Sequence, residues 1–199
     1  MPETNQTAAR GRHSSLSNLA WRSPSRLQSV FMVIFGSAVL ALSAKINVPL
    51  PYVPMTMQSL VVLSLGVIYG WRLGLATYLA YLAEGAMGLP VFAGPGAGPL
   101  YMLGSTGGFL VGFAVAIVII GWLSERGWDR SFSRMFAAMA LGHVAIFAFG
   151  FSWLAYGIGI GAEKAFWVGV VPFLAGAVVK NTLGALTMPA LHRYAARRQ

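Results

Sequence analysis

At 199 residues with 57% hydrophobic and only 10% charged residues, the chain lacks the polar side chains that a water-soluble exterior requires, so an ordinary soluble globule is excluded. The net charge of +9 would suit nucleic acid, but the arrangement of the basic residues gives it another explanation. Cysteine is absent, which leaves no disulfide framework or thiolate metal site to read.

Apolar segments separated by short Gly- and Pro-rich breaks fit a bilayer core roughly 30 Å thick. Helices are the expected spanning elements, since FLVGFAVAIVIIGWL (109–123) shows none of the alternation that a barrel strand needs. Residues 1–26, polar and rich in Ser, Arg and Asn, read as a disordered cytoplasmic tail, and 27–199 as a single membrane domain. Its predicted spans are 27–46, 57–70, 72–89, 107–123, 134–155 and 172–192. Eleven of the fourteen basic residues (Arg10, Arg12, Arg22, Arg26, Arg72, Arg126, Arg130, Arg134, Arg193, Arg197 and Arg198) then share one side, which predicts that both termini are cytoplasmic. The charge is a topology signal, and no nucleic-acid partner is needed.

On the first span, Ser37, Ala41 and Ala44 form a small-residue ridge suited to a coupling subunit or to self-association. The connection that follows, VPLPYVPMTMQS (48–59), carries Pro49, Pro51 and Pro54 around Tyr52 and no charge. Each proline fixes φ and restricts its predecessor, so this is a stiff strap with little entropy to lose on closing. Thr56 is the expected N-cap of the second span, with Gln58 in its first turn. The next outward loop runs through Phe92, Gly94, Tyr101, Ser105, Thr106 and Gly107 and is also uncharged. Its glycines allow close backbone approach. Thr106 is the expected N-cap of the fourth span, whose free amides could receive a carbonyl or carboxylate.

Three ionisable residues fall inside spans, where a charge costs at least about 2.5–3.5 kcal/mol. Lys180 lies between Gly176 and Gly184 and beside Asn181, too deep to snorkel freely, and so asks for an anion. Glu84 is either its structural partner or a residue of the outer interface. His143, flanked by Gly142 and Gly150, reads as an interhelical hydrogen-bonding residue. The tryptophans fit interfacial belts, with Trp153 and Trp167 outside.

VPLPYVPMTMQ, RLG followed by GLPVFAGPGAGP, LGSTGGFLVGF and PFLAGAVVK, in this order, resemble the BioY family of biotin transport proteins, the substrate-binding membrane components of energy-coupling factor transporters. The resemblance covers about residues 28–190. It implies an all-α integral membrane protein with six transmembrane helices in the plasma membrane, binding biotin under the first outer loop. It further implies a transmembrane coupling subunit and two ATP-binding cassette ATPases as partners. No cofactor, metal or enzymatic activity is implied, and no GxxxxGK[ST] loop is present. Carried over by motif, the substrate-binding residues would be Lys180, Asn181, Gln58, Tyr52, Phe92, Gly94, Tyr101, Ser105, Thr106, Gly107 and Glu84, with Pro49, Pro51 and Pro54 as lid. Three positions depart from the family pattern: Ala177 stands where aspartate is usual, Ser105 where proline is usual, and Phe109 where tyrosine is usual. Two alternatives remain: a carrier of another small anionic vitamin, and an intramembrane serine protease using Ser105 and His143.

Overall fold

The computed structural model describes Leu16 and residues 25–197. Helix α1 (Arg26–Lys45) opens with a capping box, in which Ser25 Oγ accepts the Gln28 amide and the Gln28 side chain accepts the Ser25 amide. Strands β1 (Asn47–Val48) and β2 (Met55–Thr56) pair antiparallel, Asn47 opposite Thr56, and so close the proline strap into a hairpin. There follow α2 (Gln58–Ala86), a short α3 (Gly98–Met102) in the second outer loop, and α4 (Gly107–Glu125). A 3-10 turn (Trp128–Arg130) leads to α5 (Phe132–Ser152), which ends in a π turn (Trp153–Gly157). Helices α6 (Ala162–Gly169) and α7 (Val171–Arg197) complete the described chain.

Five helical segments are long and apolar enough to cross a membrane: Arg26–Lys45, Gln58–Ala86, Gly107–Glu125, Phe132–Gly157 and Ala162–Arg197. One of them reverses within its length. Gly70 has φ 74° and ψ 170°, a conformation open to glycine and strained for other residues. Beyond it the chain doubles back: a Cβ on Gly74 would stand 3.3 Å from the Leu65 carbonyl, and Gln58 Nε2 donates to the Tyr81 hydroxyl at 2.8 Å. Residues 58–69 and 71–86 are therefore antiparallel arms lying side by side.

Helix α4 packs between these arms and α5, and small residues set the distance. A Cβ on Gly112 would meet the Ile146 Cα at 2.8 Å, and one on Gly121 the Trp71 amide at 2.5 Å. Helix α1 lies on the outside of α2. The ridge expected to dock a partner faces inward instead: Ser37 and Ala44 are buried, and Ser37 Oγ donates to Glu84 Oε1 at 2.8 Å. Its outward face is Leu27, Val30, Phe31, Ile34 and Phe35.

Of the first 24 residues, Leu16 is the one described. It is buried, and its amide donates to Asp129 Oδ2 at 2.6 Å, so at this point the chain is anchored where a disordered tail was expected. Residues 1–15 and 17–24 of that expected tail lie outside the described residues.

Candidate ligand-binding site

A cavity sits beneath the strap, enclosed by the first arm of α2 and by α4, α5 and α7. Val53 and Pro54 cover it from the strap, with Ala93 and Tyr101 from the second outer loop. Aromatic walls come from Phe109 and Phe113 on α4, Phe147 on α5 and Phe173 on α7. The spacing of Phe109 and Phe113 puts both on one helix face. Polar groups enter from Gln58, Ser59, Thr106, His143 and Lys180. Such a chamber, mostly apolar with few convergent polar groups, suits a small amphiphilic ligand.

Lys180 supplies the only charge among these lining residues. Its Nζ donates to the Thr56 carbonyl at 2.6 Å and to Ser59 Oγ at 3.0 Å. Both partners are neutral, and no carboxylate faces the amine among the described residues. Glu84 is committed elsewhere, to Ser37 on α1, so the structural ion pair considered from the sequence does not form. The amine therefore ties the end of the strap to α7 and keeps an uncompensated charge at the cavity wall.

The strap is held from several sides. Ser105 Oγ donates to the Tyr52 carbonyl, and the Met57 amide donates to the Ile46 carbonyl at 3.0 Å. Lys164 Nζ lies 5.0 Å from the centre of the Tyr52 ring. The neighbouring loop is latched by Lys45, whose Nζ donates to the carbonyls of Phe92 at 2.7 Å and Gly94 at 2.6 Å. Phe92 stacks on Tyr101 at 4.8 Å and meets Tyr81 edge-on at 5.5 Å. Burial raises the pKa of the Tyr101 hydroxyl above its ordinary value, so it remains a protonated donor.

The two expected helix caps take different forms. Thr56 Oγ1 accepts the Gln58 amide at 3.2 Å, although the first residue outside α2 is Met57. Thr106 does occupy the N-cap of α4, but its hydroxyl donates back to the Tyr101 carbonyl at 3.4 Å and leaves the helix uncapped by a side chain. The Gly107 amide is also engaged, by the Gly104 carbonyl at 3.1 Å. Trp153, read from the sequence as an interfacial belt residue, donates to that same Gly104 carbonyl at 2.9 Å and packs against Gly107 and Gly108.

Of the residues singled out from the sequence, Gln58, Tyr101, Thr106 and Lys180 line the cavity, with Pro54 above them. Tyr52, Phe92, Gly94, Ser105 and Gly107 lie one layer out and hold the roof in place. Pro49 and Pro51 are on the strap's exposed side. Asn181 is buried beside Lys180 but outside the lining, and Glu84 is directed to α1. Ser105 and His143 form no dyad: the serine donates to Tyr52, and His143 Nδ1 faces the Met139 carbonyl of its own helix. Sequence reasoning missed Ser59 and the four phenylalanine walls, and it gave His143 no ligand role. The adjacency of Ser59 to Gln58 was the available signal.

A model of the BioY family matches residues 13–197. A relative described as "Biotin transporter BioY" from Rhizobium etli is 37% identical over 166 residues, covering 79% of this chain and 88% of its own. Another of that description, from Thermotoga maritima, is 35% identical, covering 75% of this chain and 87% of its own. Among solved structures, the S-component for biotin from an ECF-type ABC transporter aligns with a TM-score of 0.72 at 21% identity, covering 87% of this chain and 93% of that one. At that identity the likeness is one of fold.

Proposed function

The chain belongs to the BioY family, and from that premise we propose that it captures biotin in the cavity beneath the strap as the substrate-specific component of an energy-coupling factor transporter. The observation that carries this reading is Lys180. A buried cation bound only to neutral oxygens, at the wall of an aromatic chamber, calls for an anionic ligand with an apolar body. Biotin has that form, with one carboxylate, a flexible apolar chain and a compact ring system. In this reading the carboxylate docks on Lys180, and Gln58, Ser59, Tyr101 and Thr106 surround the remainder. Tyr52, Pro54 and Ser105 keep the lid in register, while Asn181, Glu84, Phe92, Gly94 and Gly107 support it from behind.

In the same reading the two arms of α2 are separate passes, six in all, and the arginine-rich face of the protein is the cytoplasmic face of the plasma membrane, with both termini on it. The cavity then opens outward. Uptake would use a transmembrane coupling subunit and two ATPases. Equilibrium binding of radiolabelled biotin to the purified protein in lipid nanodiscs tests the reading. Saturable, unlabelled-biotin-competable retention is expected, and absence of specific retention would overturn it.

A further inference from the structure

His143 is 4% exposed, in the middle of α5, and its ring lines the cavity. Its Nδ1 lies 3.2 Å from the Met139 carbonyl, one turn back in the same helix. A carbonyl oxygen can only accept, so the hydrogen bond places a proton on Nδ1 and leaves Nε2 of the neutral ring as a lone-pair acceptor. That atom is buried and has no partner in the protein. Asn181 stands beside the ring, but its Oδ1 is an acceptor like Nε2, so the two form no hydrogen bond while the neutral ring carries its proton on Nδ1, and Oδ1 is unpaired as well.

The other polar side chains of the chamber are differently placed. Lys180 is bound to Thr56 and Ser59, Gln58 to Tyr81, and Thr106 to Tyr101. Among the described residues, His143 Nε2 is the one buried side-chain polar atom of the cavity lining left without a partner. Nearby Ala177 offers only a methyl group. A buried acceptor left open in this way is unfavourable in the empty protein and becomes a selective contact once a donor arrives.

We propose that His143 Nε2 accepts an N–H from the bound ligand, which makes His143 a specificity residue for the ligand's ring. This inference rests on the biotin reading and deepens it. Biotin's N–H donors both belong to its ureido group; its carboxylate and thioether only accept. A lone pair on Nε2 therefore discriminates against the acid end and in favour of the ring, while the flexible chain carries the carboxylate to Lys180. The ring end is thus read by an acceptor and the acid end by a cation.

The test is a binding matrix on purified protein: wild type, His143→Phe and His143→Gln against biotin, its two N-methylated ureido isomers, and biotin amide. Phenylalanine keeps the ring shape and removes the acceptor, whereas glutamine can return one. In wild type, methylation at the nitrogen that meets His143 is expected to weaken binding. His143→Phe should weaken biotin on the order of 10- to 100-fold and abolish the penalty at that nitrogen. The preference for acid over amide should be unchanged. His143→Gln should recover part of both losses. Persistence of the full methylation penalty in His143→Phe, or a collapse of the acid-over-amide preference instead, overturns the proposal. If His143→Phe does not fold, the same comparison is read from His143→Leu, which also lacks an acceptor, and persistence of the full methylation penalty there overturns the proposal. A wild-type protein that binds no biotin would sink the functional reading itself, an outcome distinct from either.

Discussion

Replacing Lys180 with methionine separates the ligand's acid group from every other contact. The substitution keeps an unbranched apolar stem and removes the charge. In the ligand-free protein two effects oppose each other. A cation near mid-bilayer depth costs about 2.5–3.5 kcal/mol, and that cost disappears. The Thr56 carbonyl and Ser59 hydroxyl, now bonded at 2.6 and 3.0 Å, lose a partner, at roughly 1 kcal/mol each. The difference is a net stabilisation of about 0.5–1.5 kcal/mol, so the empty variant should melt at or slightly above the wild-type temperature. Ligand binding moves the other way. A charge-assisted hydrogen bond to the carboxylate is worth about 1.5–3 kcal/mol, which corresponds to a loss of about 10- to 150-fold in biotin affinity. Biotin amide gives up only a neutral bond of about 1 kcal/mol, or roughly fivefold. Radiolabelled biotin binding with amide competition, alongside thermal melts of the purified proteins, measures all three quantities. Equal losses for acid and amide would refute the carboxylate role. A variant that melts well below wild type would refute the uncompensated charge.

The membrane class and the helix positions were legible in composition and in the length of the apolar runs, because the bilayer imposes both directly. Even the break near residue 70 was marked, by Gly70 and Arg72, which interrupt the apolar run at the Tyr69–Gly70–Trp71–Arg72 junction. What the sequence could not convey was which face of a helix meets which neighbour. Ser37 looked like an exposed docking residue, yet it points at Glu84, because in a membrane small residues serve internal and external packing equally well. Glu84 for the same reason was a candidate partner for Lys180, a pairing that only tertiary placement could exclude. Within the site, the anchors Gln58, Thr106 and Lys180 stood out as polar residues in apolar surroundings. The phenylalanine walls did not, since Phe109, Phe113, Phe147 and Phe173 have the chemistry of any membrane helix. Of the loop residues, Tyr52 acts through its backbone carbonyl, which accepts the Ser105 hydroxyl, and Gly107 through close packing, neither of which a side-chain pattern announces.

Three further perturbations probe the roof and its supports. Pro51→Gly combined with Pro54→Gly should raise the biotin dissociation rate about two- to tenfold by returning backbone freedom to the lid, read from chase of bound radioligand; an unchanged rate would separate lid stiffness from retention. Lys45→Met removes both bonds to the Phe92 and Gly94 carbonyls, so limited proteolysis should cut the 94–98 segment faster than in wild type, with equal rates counting against the latch. The most discriminating is a pair of glycine substitutions with similar apparent clashes. A Cβ at Gly108 would stand 2.2 Å from Trp153 Cβ and 2.4 Å from the Phe149 carbonyl, whereas one at Gly184 would stand 2.1 Å from the sulfur and terminal methyl of Met139. The first obstacle is helix backbone and the root of a side chain, which yields only if α4 and α5 separate; the second is the flexible end of a methionine, which can rotate away. Gly108→Ala should therefore destabilise the protein by about 1–3 kcal/mol and weaken binding through the adjacent wall residue Phe109, while Gly184→Ala should cost well under that. Thermal melts of the two variants decide the matter, because comparable losses would show that the α4–α5 contact at the cavity mouth is no more rigid than a methionine tip.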